Sequence, residues 1–169
     1  MKKQLMIILT TAFMLFVNAG VTGNDSADDG TRQWTAAATF NKIVINDGVN
    51  MVLTEDASQT ISIAGKTKFT AAVKLEIKDG VLHISCSKGS ASKRVLVYVP
   101  VQQLQRITVK GDSEITTFGI LQSANIHVRI EGDCYVDIVT RGHITVDHDN
   151  KHGFDYIKKE KIELTDRVH

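Results

Sequence analysis

The chain is poor in the residues that would declare a function outright. Two cysteines in 169 residues exclude a disulfide-built scaffold. Beyond the N-terminal leader no apolar run approaches the roughly 18 residues of a membrane-spanning helix, so none is expected in the mature chain. Lysine and arginine number 20 against 19 acids, and with no excess of positive charge there is no basic footprint for nucleic acid. No Gly-x-Ser-x-Gly elbow is present, and no glycine-rich phosphate loop, which removes the plainest marks of a serine hydrolase or a nucleotide site. No cofactor is implied.

What is present begins with a targeting segment. Lys2 and Lys3 form a positive n-region, Leu5 to Val17 is apolar, and Val17-Asn18-Ala19 offers the small residues that signal peptidase accepts. Residues 1–19 are therefore read as a signal peptide, with Gly23 as the other acceptable cleavage point. No cysteine lies near that junction, which argues against a lipoprotein anchor. Loss of the leader removes two lysines and no acids, moving the formal charge from +1 to about −1. Residues 20–39 are small and polar and read as a flexible lead-in, with Trp34 packing back on the domain edge rather than meeting a ligand. Residues 40–169 have the length of one domain.

From Phe40 the chain reads as short strands. Ile43 and Ile45 alternate with polar residues, Asn46-Asp47-Gly48 makes a turn, and Val49, Met51 and Leu53 resume the alternation. The device recurs at Leu75-Glu76-Ile77, Lys78-Asp79-Gly80 and Val81 to Ile84. Asp-Gly between alternating apolar runs signals a hairpin, because glycine accepts the positive φ of a type I′ turn. Gln59 to Ala64 is a further strand, ended by Gly65. Val95, Val97 and Val99 form another, stopped by Pro100, which has no amide hydrogen to give. Lys68 to Val73 is the one stretch suited to a short helix.

After Pro100 one phrase is written twice. Ile107-Thr108-Val109-Lys110-Gly111-Asp112-Ser113-Glu114-Ile115 returns twenty-one residues later as Val128-Arg129-Ile130-Glu131-Gly132-Asp133-Cys134-Tyr135-Val136. A repeat of this period with alternating apolar residues predicts stacked β coils. Stacking sets Val128 over Ile107, Ile130 over Val109 and Val136 over Ile115, with strands about 4.8 Å apart. It pairs Thr108 with Arg129, Lys110 with Glu131 and Glu114 with Tyr135 as exposed rows, and puts Gly111 and Gly132 at corners. Ile144-Thr145-Val146-Asp147 suggests a third, less regular coil. The expected fold is all-β: hairpins over residues 40–100, then a short β-solenoid of about 21-residue coils over residues 101–169.

These residues resemble the putative auto-transporter adhesin, head GIN domain family of exported bacterial proteins. Four features carry the likeness: Phe40-Asn41-Lys42-Ile43-Val44-Ile45 followed by Gly48-Val49; the strand pair Leu75 to Ile84 turning through Asp79-Gly80; Pro100 followed by Leu104-Gln105-Arg106-Ile107; and the Gly111-Asp112-Ser113 and Gly132-Asp133-Cys134 corners. The likeness spans residues 39–147. It implies an all-β fold with a β-helical part and an export role at the cell envelope, and it carries across no catalytic residue. Asp and Cys stand where the family's corners are small residues.

Four groups of residues could carry chemistry. His143, Asp147, His148, Asp149 and His152 are metal-ligand types within ten residues, but His143 and Asp147 share a strand face that His148 opposes, and a polar surface loop is the simpler reading. Asp112 and Asp133, stacked, resemble the carboxylate pair of a retaining glycosidase, about 5–5.5 Å apart; each follows a corner glycine, where such side chains bond their own backbone. Cys86 and Cys134 lie on the apolar phase of their segments and read as buried thiols, a disulfide between them being the alternative if their Cα atoms come within about 7 Å. Lys88 to Arg94 is a basic loop that could meet an anionic glycan or lipid head group, and otherwise a solvated turn.

The expectation is an exported, non-enzymatic, adhesin-like β module in the periplasm, on the outer surface or secreted, with a glycan or envelope component as the partner class. Tyr135, Arg129 and Lys110 are the candidate ligand-facing residues. The alternatives are a self-associating envelope scaffold, or a carbohydrate-active protein using Asp112 and Asp133.

Overall fold

A computed structural model of the chain describes residues 29–46, 49–87, 95–148 and 154–160, the last as strand course only. The leader, the loop 88–94 and residues Asp149 and His152 lie outside the described residues. Within them the chain forms β1 (Asp29–Thr35), β2 (Lys42–Asn46), β3 (Asn50–Glu55), β4 (Thr60–Lys66), a one-turn helix α1 (Thr67–Thr70), β5 (Val73–Lys78), β6 (Val81–Cys86), β7 (Val95–Val101), β8 (Arg106–Lys110), β9 (Ser113–Phe118), β10 (Asn125–Ile130), β11 (Cys134–Thr140), β12 (His143–His148) and β13 (Phe154–Glu160). The fold is all-β. The strands make two mixed sheets, one in the order β1-β4-β7-β3-β9-β11-β13 and the other β12-β10-β8-β2-β6-β5.

Alternation in the sequence becomes alternation in burial. β2 reads half-buried and buried in turn, and β11 does the same over seven residues, because successive side chains of a strand leave opposite faces. Parallel pairing then lines the buried residues into rows. Leu82, Ile43, Ile107, Val128 and Val146 are neighbours on successive strands of the second sheet. Val97, Met51, Ile115 and Val136 do the same in the first. Both rows enter a single buried cluster, with half-buried Val146 packed against its edge. Fully burying each such side chain is worth about 1.5–3 kcal/mol, so the rows supply the main cohesion between strands. Val128 stands on Ile107, Ile130 on Val109 and Val136 on Ile115, in the register expected from the repeat.

Two of the turn readings fare differently. Asp79 and Gly80 have φ of 51° and 72°, and β5 and β6 pair antiparallel around them as a hairpin. The hairpin expected at Asn46-Asp47-Gly48 is not formed: β2 and β3 belong to different sheets. Asp47 and Gly48 lie outside the described residues, and each strand finds parallel neighbours instead, β2 with β6 and β8, β3 with β7 and β9. Strands from the stretch read as hairpins thus stand between strands β6 and β7 on one side and β8 and β9 on the other.

Smaller expectations are also corrected. Asp29–Thr35, within the stretch read as a lead-in, forms β1 against β4. Its inward residues hold it there: Trp34 packs against the core, as expected, and Arg32 Nη2 donates to the Val73 carbonyl at 2.6 Å. The helix is Thr67–Thr70, and Val73 already belongs to β5. Gly65 and Pro100 lie inside strands β4 and β7. Pro100 is tolerated because the Val101 carbonyl turns toward β3's end, accepting the Asp56 amide at 3.3 Å. The Pro100 nitrogen therefore faces the β4 side, where pairing has already stopped at Tyr98.

The corners explain two glycines by different physics. At Gly132 a Cβ would stand 2.5 Å from the Gly111 backbone nitrogen, so the position needs a residue without a side chain for space. At Gly80 a Cβ meets nothing within 4 Å, and only the φ of 72° favours glycine. Asparagine tolerates that φ. Gly80→Asn is therefore expected to cost at most about 1 kcal/mol, whereas Gly132→Asn and Gly132→Ala each cost about 1–3 kcal/mol or more through overpacking. Urea midpoints of the three variants check this; equal losses at both positions would contradict it.

Candidate functional site

With the core rows pointing inward, the intervening residues form two outer faces on opposite sides of the core. On the second sheet Arg129 lies beside Thr108 and Asp147. Its Nε donates to Glu131 Oε1 at 2.7 Å and its Nη1 to Asp147 Oδ2 at 2.9 Å, while Lys110 Nζ stands 3.8 Å from Glu131 Oε2. Lys110 and Glu131 pair as the repeat implied. The hydrogen bond that Arg129 donates to Glu131, then the charges of Glu131 and Asp147, raise the Arg129 pKa above its ordinary value. Each charge in this exposed network has an opposite neighbour, so it secures register and offers no unneutralised cation to a ligand. Thr108, expected on the exposed row, is only 9% exposed, lying between Val44 and the long side chain of Arg129.

Tyr135 is on the other face. It stands beside Glu114 in the first sheet, as the repeat implied, with Cys134 and Val136 turned to the core. The structure therefore brings Arg129 and Lys110 together and leaves Tyr135 across the core from them; the three do not form one site. Acidic residues flank Tyr135 in register, with Glu114 and Asp155 on the neighbouring strands and Asp137 two residues along on the same face; toward β3 and β7 the face loses charge. Val52 lies between Tyr98 and Thr116, and Tyr98 is 38% exposed. Phe118, at the end of β9, is 78% exposed. Tyr98 escapes a reading by alternation because Val95 to Val101 is apolar at nearly every position, so its phase is invisible in the sequence.

The reactive candidates disperse. Asp112 and Asp133 are exposed at the stacked corners, one residue before the paired Ser113 and Cys134. Among the described residues no three His, Cys, Asp or Glu side chains converge as metal ligands. Asp147 is engaged by Arg129, and His143 lies four residues along the same strand. Cys86 and Cys134 are both buried and neither forms a disulfide. Cys86 is in β6, three places in its sheet from β10, the strand that leads into β11 and Cys134. Three strand spacings are roughly 14 Å, twice the reach of a disulfide, so the bonded alternative is overturned.

One concavity gathers residues that no local pattern connects. The connections β1–β2, β3–β4 and β7–β8 and the β5–β6 turn surround a groove of about 430 Å³. Phe40, Asn41, Asp56, Gln59, Gln102 and Gln103 are among its lining residues. Among the described residues no helix is long and apolar enough to cross a membrane.

Comparison with known proteins fits this architecture. The family described as putative auto-transporter adhesin, head GIN domain, matches residues 39–151. A search of curated proteins finds no match. Among solved structures, a putative adhesin from Bacteroides fragilis superposes with a TM-score of 0.54 at 16% identity, over 78% of this chain and 80% of that one. A putative adhesin from Parabacteroides merdae gives 0.40 at 14% identity, over 79% and 98%. At this identity the first likeness shows a shared fold.

Burial, and secondarily the neighbouring Asp133 charge, pushes the Cys134 thiol up from 9.0 to about 11. Native protein at pH 8 should therefore leave Cys134 unlabelled by a thiol reagent on a timescale that labels it fully in guanidinium. Because the folded pKa lies above the unfolded one, the stabilisation is complete below pH 9 and lost as pH rises through about 11. Cys134→Ser should remove that part of the alkaline decline in a denaturation series; an unchanged decline would assign it elsewhere.

Proposed function

The chain belongs to the putative auto-transporter adhesin, head GIN domain family, and from that premise we propose that it is an exported, non-enzymatic binding module built as a short β-solenoid. The observation that carries the reading is a matched order. The strands β13-β11-β9-β3-β7 of one sheet follow the same sequence as β12-β10-β8-β2-β6 of the other. Each pair β12/β13, β10/β11, β8/β9, β2/β3 and β6/β7 then makes one coil, with a strand in each sheet. A stack of this kind is stiff along its length and presents flat, extended surfaces, which suits contact with another surface better than turnover of a substrate. The exposure of Asp112 and Asp133 at the corners supports a structural rather than a catalytic part for them. The leader read over residues 1–19 supports export.

The test is protease accessibility on intact cells, with a periplasmic protein as control. Digestion of this protein while the control survives is the expected result. Protection until the outer envelope is opened would defeat adhesion and leave the envelope scaffold. In the same cells Asp112→Asn with Asp133→Asn should leave adherence unchanged; its loss would restore the carbohydrate-active alternative.

A further inference from the structure

We propose that the corner groove is a binding site for a neutral sugar unit; the proposal rests on the binding-module reading and names the contact through which it would work. Its walls come from four separate stretches of chain, tied by backbone hydrogen bonds. The Ala36 amide donates to the Gln59 carbonyl at 2.8 Å, the Asn41 amide to the Gly80 carbonyl at 3.2 Å, and the Gln105 amide to the Asn41 carbonyl at 2.8 Å. The main chain is thus occupied in holding the shape, and the shape exists before any ligand arrives, which lowers the ordering cost of binding.

The side chains are left for recognition. Asn41, Gln59, Gln102 and Gln103 each bring a carboxamide, which offers an acceptor oxygen and two N–H donors. Their main-chain groups are engaged at Asn41 and Gln59, but none of the four carboxamides has a hydrogen-bond partner among the described residues. Vicinal hydroxyls are donors and acceptors at once and match carboxamides in both directions. Gln103 is one of two non-glycine residues described with positive φ, at 52°, and strain of this kind is typically retained where a side chain must be aimed.

Charge and volume narrow the class. Asp56 is the one ionisable side chain in the lining, and its Oδ1 already accepts the Ser58 amide at 2.8 Å. Among the described residues no cation lines the groove to meet a phosphate, sulfate or carboxylate, and a single carboxylate is too few ligands for a metal. The apolar part of the lining is Phe40, packed against the core, Pro100 and the short side chains of Ala36, Ala38 and Ala57. That area suits the C–H face of a pyranose ring better than the side chains of an apolar peptide. About 430 Å³ lies within the roughly 300–1,000 Å³ of small-ligand sites, room for a mono- or disaccharide.

The experiment is saturation-transfer NMR on the full chain with the methyl glycosides of glucose, galactose, mannose and N-acetylglucosamine. Glucuronate and trialanine serve as anionic and peptide probes. Saturation transfer to at least one neutral glycoside is expected, with affinity reduced at least tenfold by Gln59→Ala combined with Gln102→Ala. Both residues are exposed, so the variant should keep the wild-type urea midpoint, which is measured alongside. The proposal is overturned by transfer to no neutral glycoside, by transfer to glucuronate or trialanine alone, or by glycoside binding that the double variant leaves unchanged. Any of these removes the groove and leaves the binding-module reading to the protease and adherence tests, which do not depend on sugar.

Discussion

Ile107 has to stand between Ile43 and Val128, because a slip of one residue in any of these strands would turn its whole buried row toward water. That requirement recurs along both sheets, and most of the molecule can be derived from it. The rows fix which strands are neighbours, and the neighbours fix where the corners fall. The corners then fall on one another, Gly132 over Gly111, at a distance that leaves no space for a side chain. The same logic closes the opposite corner, where a Cβ on Gly142 would clash with the Ser123 and Ala124 carbonyls.

The outer faces inherit their character from the same alignment. Since strands are held in register by their buried residues, outward residues are set in rows whether or not they attract. On the second sheet they do attract, and Lys110, Glu131, Arg129 and Asp147 form a chain of opposite charges across β8, β10 and β12. Such exposed pairs add little stability singly, but like charges in those positions would oppose the register the core demands. The face of the first sheet has no such device around Val52 and Tyr98, and is correspondingly less polar.

The repeat made the second half of the chain readable, because it compares two segments with each other and so reports on their contact. Val128 over Ile107 and Glu114 beside Tyr135 follow from that comparison. The first half offered only local signals, and these record dihedral angles without recording partners. Asp79-Gly80 and Asn46-Asp47-Gly48 look alike in the sequence; one closes a hairpin, and the other joins strands that lie in different sheets. β1 was missed because Arg32 and Trp34 are anchored by residues more than twenty-five positions away, Val73 and Ile61 among them. The split of Tyr135 from Arg129 needed the knowledge that the intervening corner changes sheets. The groove was beyond sequence reasoning altogether, since its walls draw on residues from Ala36 to Gln103.

The place of β2 and β3 at the middle of the sheets bears on how the protein is made. A chain emerging from its N-terminus releases these strands before any of their lateral partners. β6 and β7 must arrive to cover one side and β8 and β9 the other, so on each strand one open edge waits for about forty residues of synthesis or translocation and the other for about sixty. Long-range parallel pairing is slow to form, and unpaired strand edges invite association with other chains. The centre of the finished stack is therefore its most exposed part during biogenesis, and the period-two aliphatic segments that secure the native state are the ones that a folding assistant in the envelope would have to shield.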